Sequence, residues 1–257
     1  SGRASRVGSG WRTWRGPFLL GAVGCLCAAA VLLVGLRPDP LVEAYRGISE
    51  STSRPSLAEG GLSAIMQSPA ARAALAAVVS AHAVMVGVMA LTPVHLHHGG
   101  ASVTLVGLSI SAHIAGMFAL SPLMGILADR AGRVPVILVG QAVLVVSCIV
   151  GFVFVDSQAG LVAALVLLGI GWSASTVAAS TLLTDAVEVT RRAAAQGVSD
   201  TSMSLAGAGG AGALAGGVVV GAFGYAALVL GAGTIAVVTA VYVVVDGARG
   251  RRQAAMA

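Results

Sequence analysis

The chain has 257 residues, 57% of them hydrophobic and 10% charged, with a formal net charge of +5 and a mean hydropathy of +0.93. This composition excludes a soluble globular domain and a disordered chain, and it identifies an integral membrane protein. The basic excess does not indicate nucleic acid: all fifteen basic residues are arginines, and at span ends they set topology and meet anionic lipid.

Charged side chains are absent from residues 73–128, 134–155, 157–184 and 201–245. A helix needs about 20 apolar residues to cross the hydrocarbon core, so the first and last of these runs each hold two spans. Only helices or closed barrels satisfy the backbone in lipid, and these runs lack the alternation of barrel strands. The expected class is an all-α membrane protein. In chain order, about seven transmembrane helices are predicted, at 17–36, 72–93, 103–127, 134–155, 160–184, 197–221 and 225–245. Ser68-Pro69 and Pro135 suit helix starts, where a missing N–H costs nothing. His98-Gly99-Gly100 and Phe223-Gly224 mark short turns, and Pro122 predicts a kink inside the third span.

The polar stretch from Arg37 to about Gln67, with Arg37-Pro38-Asp39-Pro40 and Gly60-Gly61, is the one long connector and reads as a domain boundary,. The predicted organisation is a single span in 1–36, a cytoplasmic connector over 37–69, a six-helix body over 70–246 and a tail over 247–257. Arginine distribution sets the orientation. With the 128–133 loop inside, Arg37, Arg46, Arg54, Arg72, Arg130, Arg133, Arg191, Arg192, Arg249, Arg251 and Arg252 are all inside. Only Arg3, Arg6, Arg12 and Arg15 are then outside, and the loops at 94–102, 156–159 and 222–224 carry no arginine. The expectation is a multi-pass protein of the plasma (inner) membrane with its C-terminus cytoplasmic. Four arginines ahead of an outside N-terminus conflict with that rule. Either 1–36 is a secretory signal ending near Ala28-Ala29-Ala30, which reverses the topology, or 17–36 is an internal span of a longer protein. A start at Ser1 without methionine favours the second.

Gly125-Ile126-Leu127-Ala128-Asp129-Arg130-Ala131-Gly132-Arg133 closes the third span with an acid, two arginines and a glycine turn. It resembles the G-x-L-A-D-R-x-G-R signature of the major facilitator superfamily. Leu168-Gly169-Ile170-Gly171-Trp172-Ser173 and Ala195-Gln196-Gly197-Val198-Ser199-Asp200 resemble elements of its tenth and eleventh spans. The resemblance implies an MFS-type helical bundle built as six plus six helices by internal duplication. This chain is similar to the sixth span, the central loop and the C-terminal half, and its motif to the second copy of a repeated gate. The resemblance further implies that Gly125, Asp129, Arg130, Gly132 and Arg133 form a gating motif whose acid latches the two halves on the cytoplasmic side.

Read from the residues, Asp129 is placed to accept hydrogen bonds from a helix N-terminus; a solvated loop acid is the plain alternative. Arg133 is expected to pair with Asp185 or Glu188 at the end of the fifth predicted span, unless Arg130 and Arg133 serve topology alone. Gly212, Gly216, Gly217 and Gly221 repeat at spacings that let helices approach closely in lipid,. His82 and His113 are the titratable groups deep inside spans and are candidates for a proton pathway, with a neutral hydrogen-bonded histidine as the plainer reading. Trp172, Ser173 and Gln141 are candidate cavity-lining residues, and Asp200 lies near the inner end of its span. Cys25, Cys27 and Cys148 fall within spans and form no disulfide framework. His95, His97 and His98 lack a neighbouring acid, so no metal or other cofactor is expected.

The expected function is therefore not enzymatic. It is secondary active transport of a small solute by alternating access, coupled to protons, as a permease or efflux protein. The expected partners are a small-molecule substrate, protons, the N-terminal half of the transporter and the lipid bilayer, with no nucleic acid. A non-transporting membrane subunit is the alternative. A seven-helix receptor fits poorly, because the chain has no lysine for a retinal link and no outer cysteine pair.

Overall fold

The computed structural model describes residues 15–37, 57–207 and 211–254. The chain divides into two units, Ser1–Arg54 and Pro55–Ala257. The first contains α1 (Arg15–Gly35), apolar on every side because Leu, Val, Ala and Cys leave no polar face.

The second unit is a helical bundle. It contains α2 (Leu57–Gln67), α3 (Pro69–His98), α4 (Val103–Phe118), α5 (Ser121–Ala131), α6 (Arg133–Val153) and α7 (Gln158–Asp185). A 3-10 turn at Val189–Arg191 leads to α8 (Arg192–Gly207) and α9 (Ala211–Ala254). Among the described residues, five stretches are long and apolar enough to cross a membrane: Pro69–His98, Val103–Ala131, Arg133–Val153, Gln158–Asp185 and Ala213–Gly247. In the first unit Leu19–Gly35 is a shorter apolar helix.

Local chemistry sets the helix ends. Ser68, Ser102 and Ser157 cap α3, α4 and α7 by accepting from Ala71, Leu105 and Gly160 N–H groups,. Pro69 lies in the first turn of α3 and Pro122 in that of α5, so neither removes an internal bond,. The kink that Pro122 predicts is an interruption at Ala119-Leu120, between α4 and α5. Gly132, with φ 94 and ψ 155, joins α5 to α6 in a single residue, a conformation open essentially to glycine alone.

The predicted spans at 197–221 and 225–245 meet inside α9. Gly224 is non-helical there, with φ 83 and ψ 170, and the chain reverses at it. Leu228 packs 3.2 Å from the Cβ position of Gly216, far closer than a straight helix allows for residues twelve apart, which would be about 18 Å at 1.5 Å per residue. Beyond the reversal the helix runs back along the bundle. Tyr225 meets Thr92, Gly233 faces Cys148, and Val243 joins the cluster containing Ile65 and Val187.

One difference from the sequence reading lies in the connector. Residues 57–67 are helical, and α2 packs through Gly61, Ala64 and Ile65, all buried. A Cβ at Gly61 would overlap the Ala194 carbonyl of α8. Gly60-Gly61 is thus no loop signal; Gly61 permits a close helix contact.

Two apolar clusters fill the bundle. One, toward Asp129 and Asp185, includes Ala71, Ala74, Ile137, Ala178 and Leu183. The other, toward His98 and Gly224, includes Val84, Leu144, Leu165, Leu168 and Val229. Between them lies a polar layer of Gln141, Ser173 and Ser175, each fully buried. Helix backbones converge at this level: a Cβ at Gly140 would strike Ser175, one at Gly171 would lie 2.9 Å from Leu144, and one at Gly169 would strike the His113 carbonyl.

Candidate functional site

The signature residues gather at one end of the bundle, the motif face. Because Gly132 turns the chain so tightly, the first residue of α6 lies beside the last turn of α5. Arg133 exploits that position. Its Nη1 donates to the Ala128 carbonyl at 2.7 Å and to Asp129 Oδ1 at 2.6 Å. Its Nε donates to Asp185 Oδ2 at 3.2 Å. One guanidinium therefore adds a second donor to the Ala128 carbonyl, which already accepts from Gly132 N–H, and joins α5 to the end of α7. Asp129 and Asp185 remain 70% and 53% exposed, against 24% for Arg133, so this is a water-facing tie that can be made and broken.

Asp129 is held by this guanidinium, whereas the sequence suggests backbone N–H groups of a helix N-terminus; among the described residues no backbone N–H donates to this carboxylate in the last turn of α5. Glu188 stands beyond the end of α7 as the cap of the 3-10 turn. Its carbonyl accepts from Arg191 N–H, and among the described residues the carboxylate partners of Arg133 are Asp129 and Asp185 alone. Arg130 is exposed in the last turn of α5, where its charge favours the helix dipole. Gly125 has no atom within 4 Å of its Cβ position.

Deeper in the bundle, Gln141 Nε2 donates to Ser175 Oγ at 3.3 Å, close to the Ala77 carbonyl, and its Oε1 is buried with no partner among the described residues. Ser173 Oγ is likewise unpartnered. His113 is fully buried on α4, with Nδ1 2.8 Å from the Leu165 carbonyl and Nε2 unpartnered. His82 and Trp172 come together, the indole Nε1–H donating to His82 Nδ1 at 3.2 Å. Asp200 is exposed on α8 and accepts from Gln196 at 2.9 Å. Gly216 packs against Leu91 and Leu228, whereas Gly217 and Gly221 have open space at their Cβ positions; the surroundings of Gly212 lie outside the described residues.

Two arrangements escape the sequence reading. Arg72 on α3 reaches Asp246 on α9 at 3.8 Å and donates to the Met66 carbonyl of α2 at 2.6 Å. It thereby joins the first and last long helices of the unit at the motif face. The sequence signal is slight: Asp246 is the first charge after the uncharged 201–245 run. At the opposite face the Tyr225 hydroxyl is 2.7 Å from Thr92 Oγ1, and its ring stacks on His95 with centroids 4.5 Å apart. His95 Nε2 lies 3.0 Å from the Val155 carbonyl, so this histidine locks helix ends together. Among the described residues no group of His, Cys, Asp and Glu could hold a metal ion.

Residues 88–255 match the family model described as Major Facilitator Superfamily. The chain is 38% identical over 210 residues to "Uncharacterized MFS-type transporter YdeG" of Bacillus subtilis (strain 168), covering 80% of this chain and 48% of that protein. It is 34% identical to "Uncharacterized MFS-type transporter YddS" of the same organism, covering 79% and 47%. It is 33% identical over 188 residues to "Riboflavin transporter RfnT" of Brucella anthropi, covering 73% and 45%. The chain thus spans about half the length of the curated relatives it matches. With signature, helical bundle and relatives in agreement, the chain belongs to the Major Facilitator Superfamily.

Proposed function

We propose that this chain is the C-terminal half of a secondary active transporter that moves a small solute across the cell membrane by alternating access, with protons as the coupling ion. The observation that carries the reading is the Arg133 tie. A guanidinium bridging the ends of α5 and α7 through Asp129 and Asp185 links those two helix ends by a water-facing contact that can exchange partners. Its carboxylates stay exposed for a second partner, which the N-terminal half supplies at a cytoplasmic gate. Proton coupling draws support from His82 and His113, both near the middle of their helices, and from His113 Nε2, which has no partner among the described residues. Gln141 and Ser173 supply polar groups at the same depth, and Asp200 lies nearer the motif face.

The test uses the complete gene product in lipid vesicles, with gradient-driven uptake followed for a panel of small solutes. Riboflavin comes first because one relative is named as its transporter. Arg133→Asp is expected to lower flux at least tenfold, and Asp185→Arg in the same chain to restore most of it. Unchanged flux in the single variant overturns the gate role of the tie. Uptake that is equally fast without a proton gradient overturns the coupling.

A further inference from the structure

Three residues near the middles of their membrane-crossing segments, His82 of α3, Phe118 at the end of α4 and Trp172 of α7, meet around one point with Gly207 at the end of α8. The Phe118 and Trp172 rings are edge to face with centroids 6.1 Å apart, and the His82 and Trp172 rings are tilted at 6.2 Å. Phe118 is 59% exposed, and His82 and Trp172 are partly exposed, so the three rings present a wall of accessible aromatic surface. The α4 helix breaks immediately after Phe118, at Ala119-Leu120. Interrupted helices near the bilayer midplane are a recurrent way to build solute sites.

The chemistry of the wall is fixed by one hydrogen bond. An indole N–H can only donate, so His82 Nδ1 must accept, and the neutral ring carries its proton on Nε2,. That Nε2–H has no partner among the described residues. It faces Gly207, where a Cβ would strike the imidazole. The absence of a side chain on α8 is what lets the histidine occupy this place.

We propose that the His82–Trp172–Phe118 wall is the selectivity element of this half of the transporter, and that it favours a planar aromatic solute bearing a hydrogen-bond acceptor, received by His82 Nε2–H. The proposal rests on the transport reading above. Flat π surface gains edge-to-face and stacked contacts with Phe118 and Trp172 that a puckered ring of the same size does not make. Gly207 is a positioning residue, acting through the imidazole.

The test compares two alcohols of equal carbon number, 1-naphthol, which is flat, and 1-decalol, its saturated counterpart. Binding to the complete protein in lipid nanodiscs is measured with binding to empty nanodiscs subtracted. The wild type is expected to bind 1-naphthol at least tenfold more tightly than 1-decalol. Phe118→Leu, an exposed and volume-sparing change, reduces that ratio to threefold or less. Gly207→Ala weakens 1-naphthol about tenfold by displacing His82. Equal affinity for the two alcohols, or a ratio untouched by Phe118→Leu, overturns the proposal. Gradient-driven flux in a protein that binds both equally leaves transport standing and removes the aromatic class. A preserved ratio in a protein that shows no flux does the reverse.

Discussion

The motif face and the midplane both hold polar groups inside an apolar protein, and they hold them in opposite ways. Arg133, Asp129 and Asp185 meet in water, through side chains that lie on the ends of helices. Gln141, Ser173, Ser175 and His113 are sealed between helices whose backbones touch at Gly140, Gly169 and Gly171. Exposed ion pairs contribute little to stability and exchange partners readily. Buried polar groups and close-packed backbones are costly to disturb. The first arrangement suits the gate contact of the proposed transport cycle, which must open, and the second suits a frame that must not.

The largest effect is expected where that frame is tightest. Gly140→Leu places a branched side chain against Ser175 and the Gly171 carbonyl, both of them backbone-anchored and unable to yield. Overpacking of this kind costs about 3 kcal/mol or more when the backbone must move. The thermal unfolding midpoint of detergent-solubilised protein should fall sharply or the folded species be lost. A midpoint within a degree or two of wild type would show that α6 and α7 are not held at this distance.

A smaller loss is expected at the motif face from Gly132→Ala. Space is available there, with Pro135 Cδ 3.6 Å from the Cβ position. The penalty is conformational: a φ of 94 with ψ 155 is open essentially to glycine, and strain of this kind costs about 1–3 kcal/mol. The alanine variant should unfold at a lower temperature than wild type but above Gly140→Leu. A reversed order would mean that the turn, and not the midplane, is the rigid part.

How far each region is legible in the sequence follows the same division. Gly132 and Arg133 stand out because acid, arginine and glycine interrupt an uncharged run, and the Phe223-Gly224 turn stands out because a glycine separates two apolar stretches. Neighbourhoods are harder to read. Asp185 and Glu188 are equivalent by spacing, and only the path of the chain shows that the last residue of α7 meets Arg133 while Glu188 lies past the turn. The glycines of the eleventh-span ladder look like the packing seam, yet Gly217 and Gly221 are open, while the less conspicuous Gly140, Gly169 and Gly171 make the closest approaches. Periodicity reports which residues share a face, not which helix covers it. For the same reason α2 is hidden, since Gly60-Gly61 carries identical sequence information whether it loosens a loop or admits the Ala194 carbonyl.

The smallest effect on stability, and the sharpest test of the contrast, belongs to the Arg133 and Asp185 pair. Replacing each by alanine, singly and together, isolates their coupling from whatever else each side chain touches. Because Asp129 and Asp185 are more than half exposed, the unfolding midpoint should change little in any of the three variants. The small coupling that remains should shrink as salt is raised from 0.05 M to 0.5 M, as screening requires. Gln141→Ala in the midplane should shift the midpoint more and be insensitive to salt, because its neighbours are Ser175 and the Ala77 carbonyl rather than a charge. A large, salt-independent coupling between Arg133 and Asp185 would place the tie among the fixed elements. The motif face would then be a continuation of the frame, and the opening contact would have to lie elsewhere, with the Arg72 and Asp246 pair the next to examine.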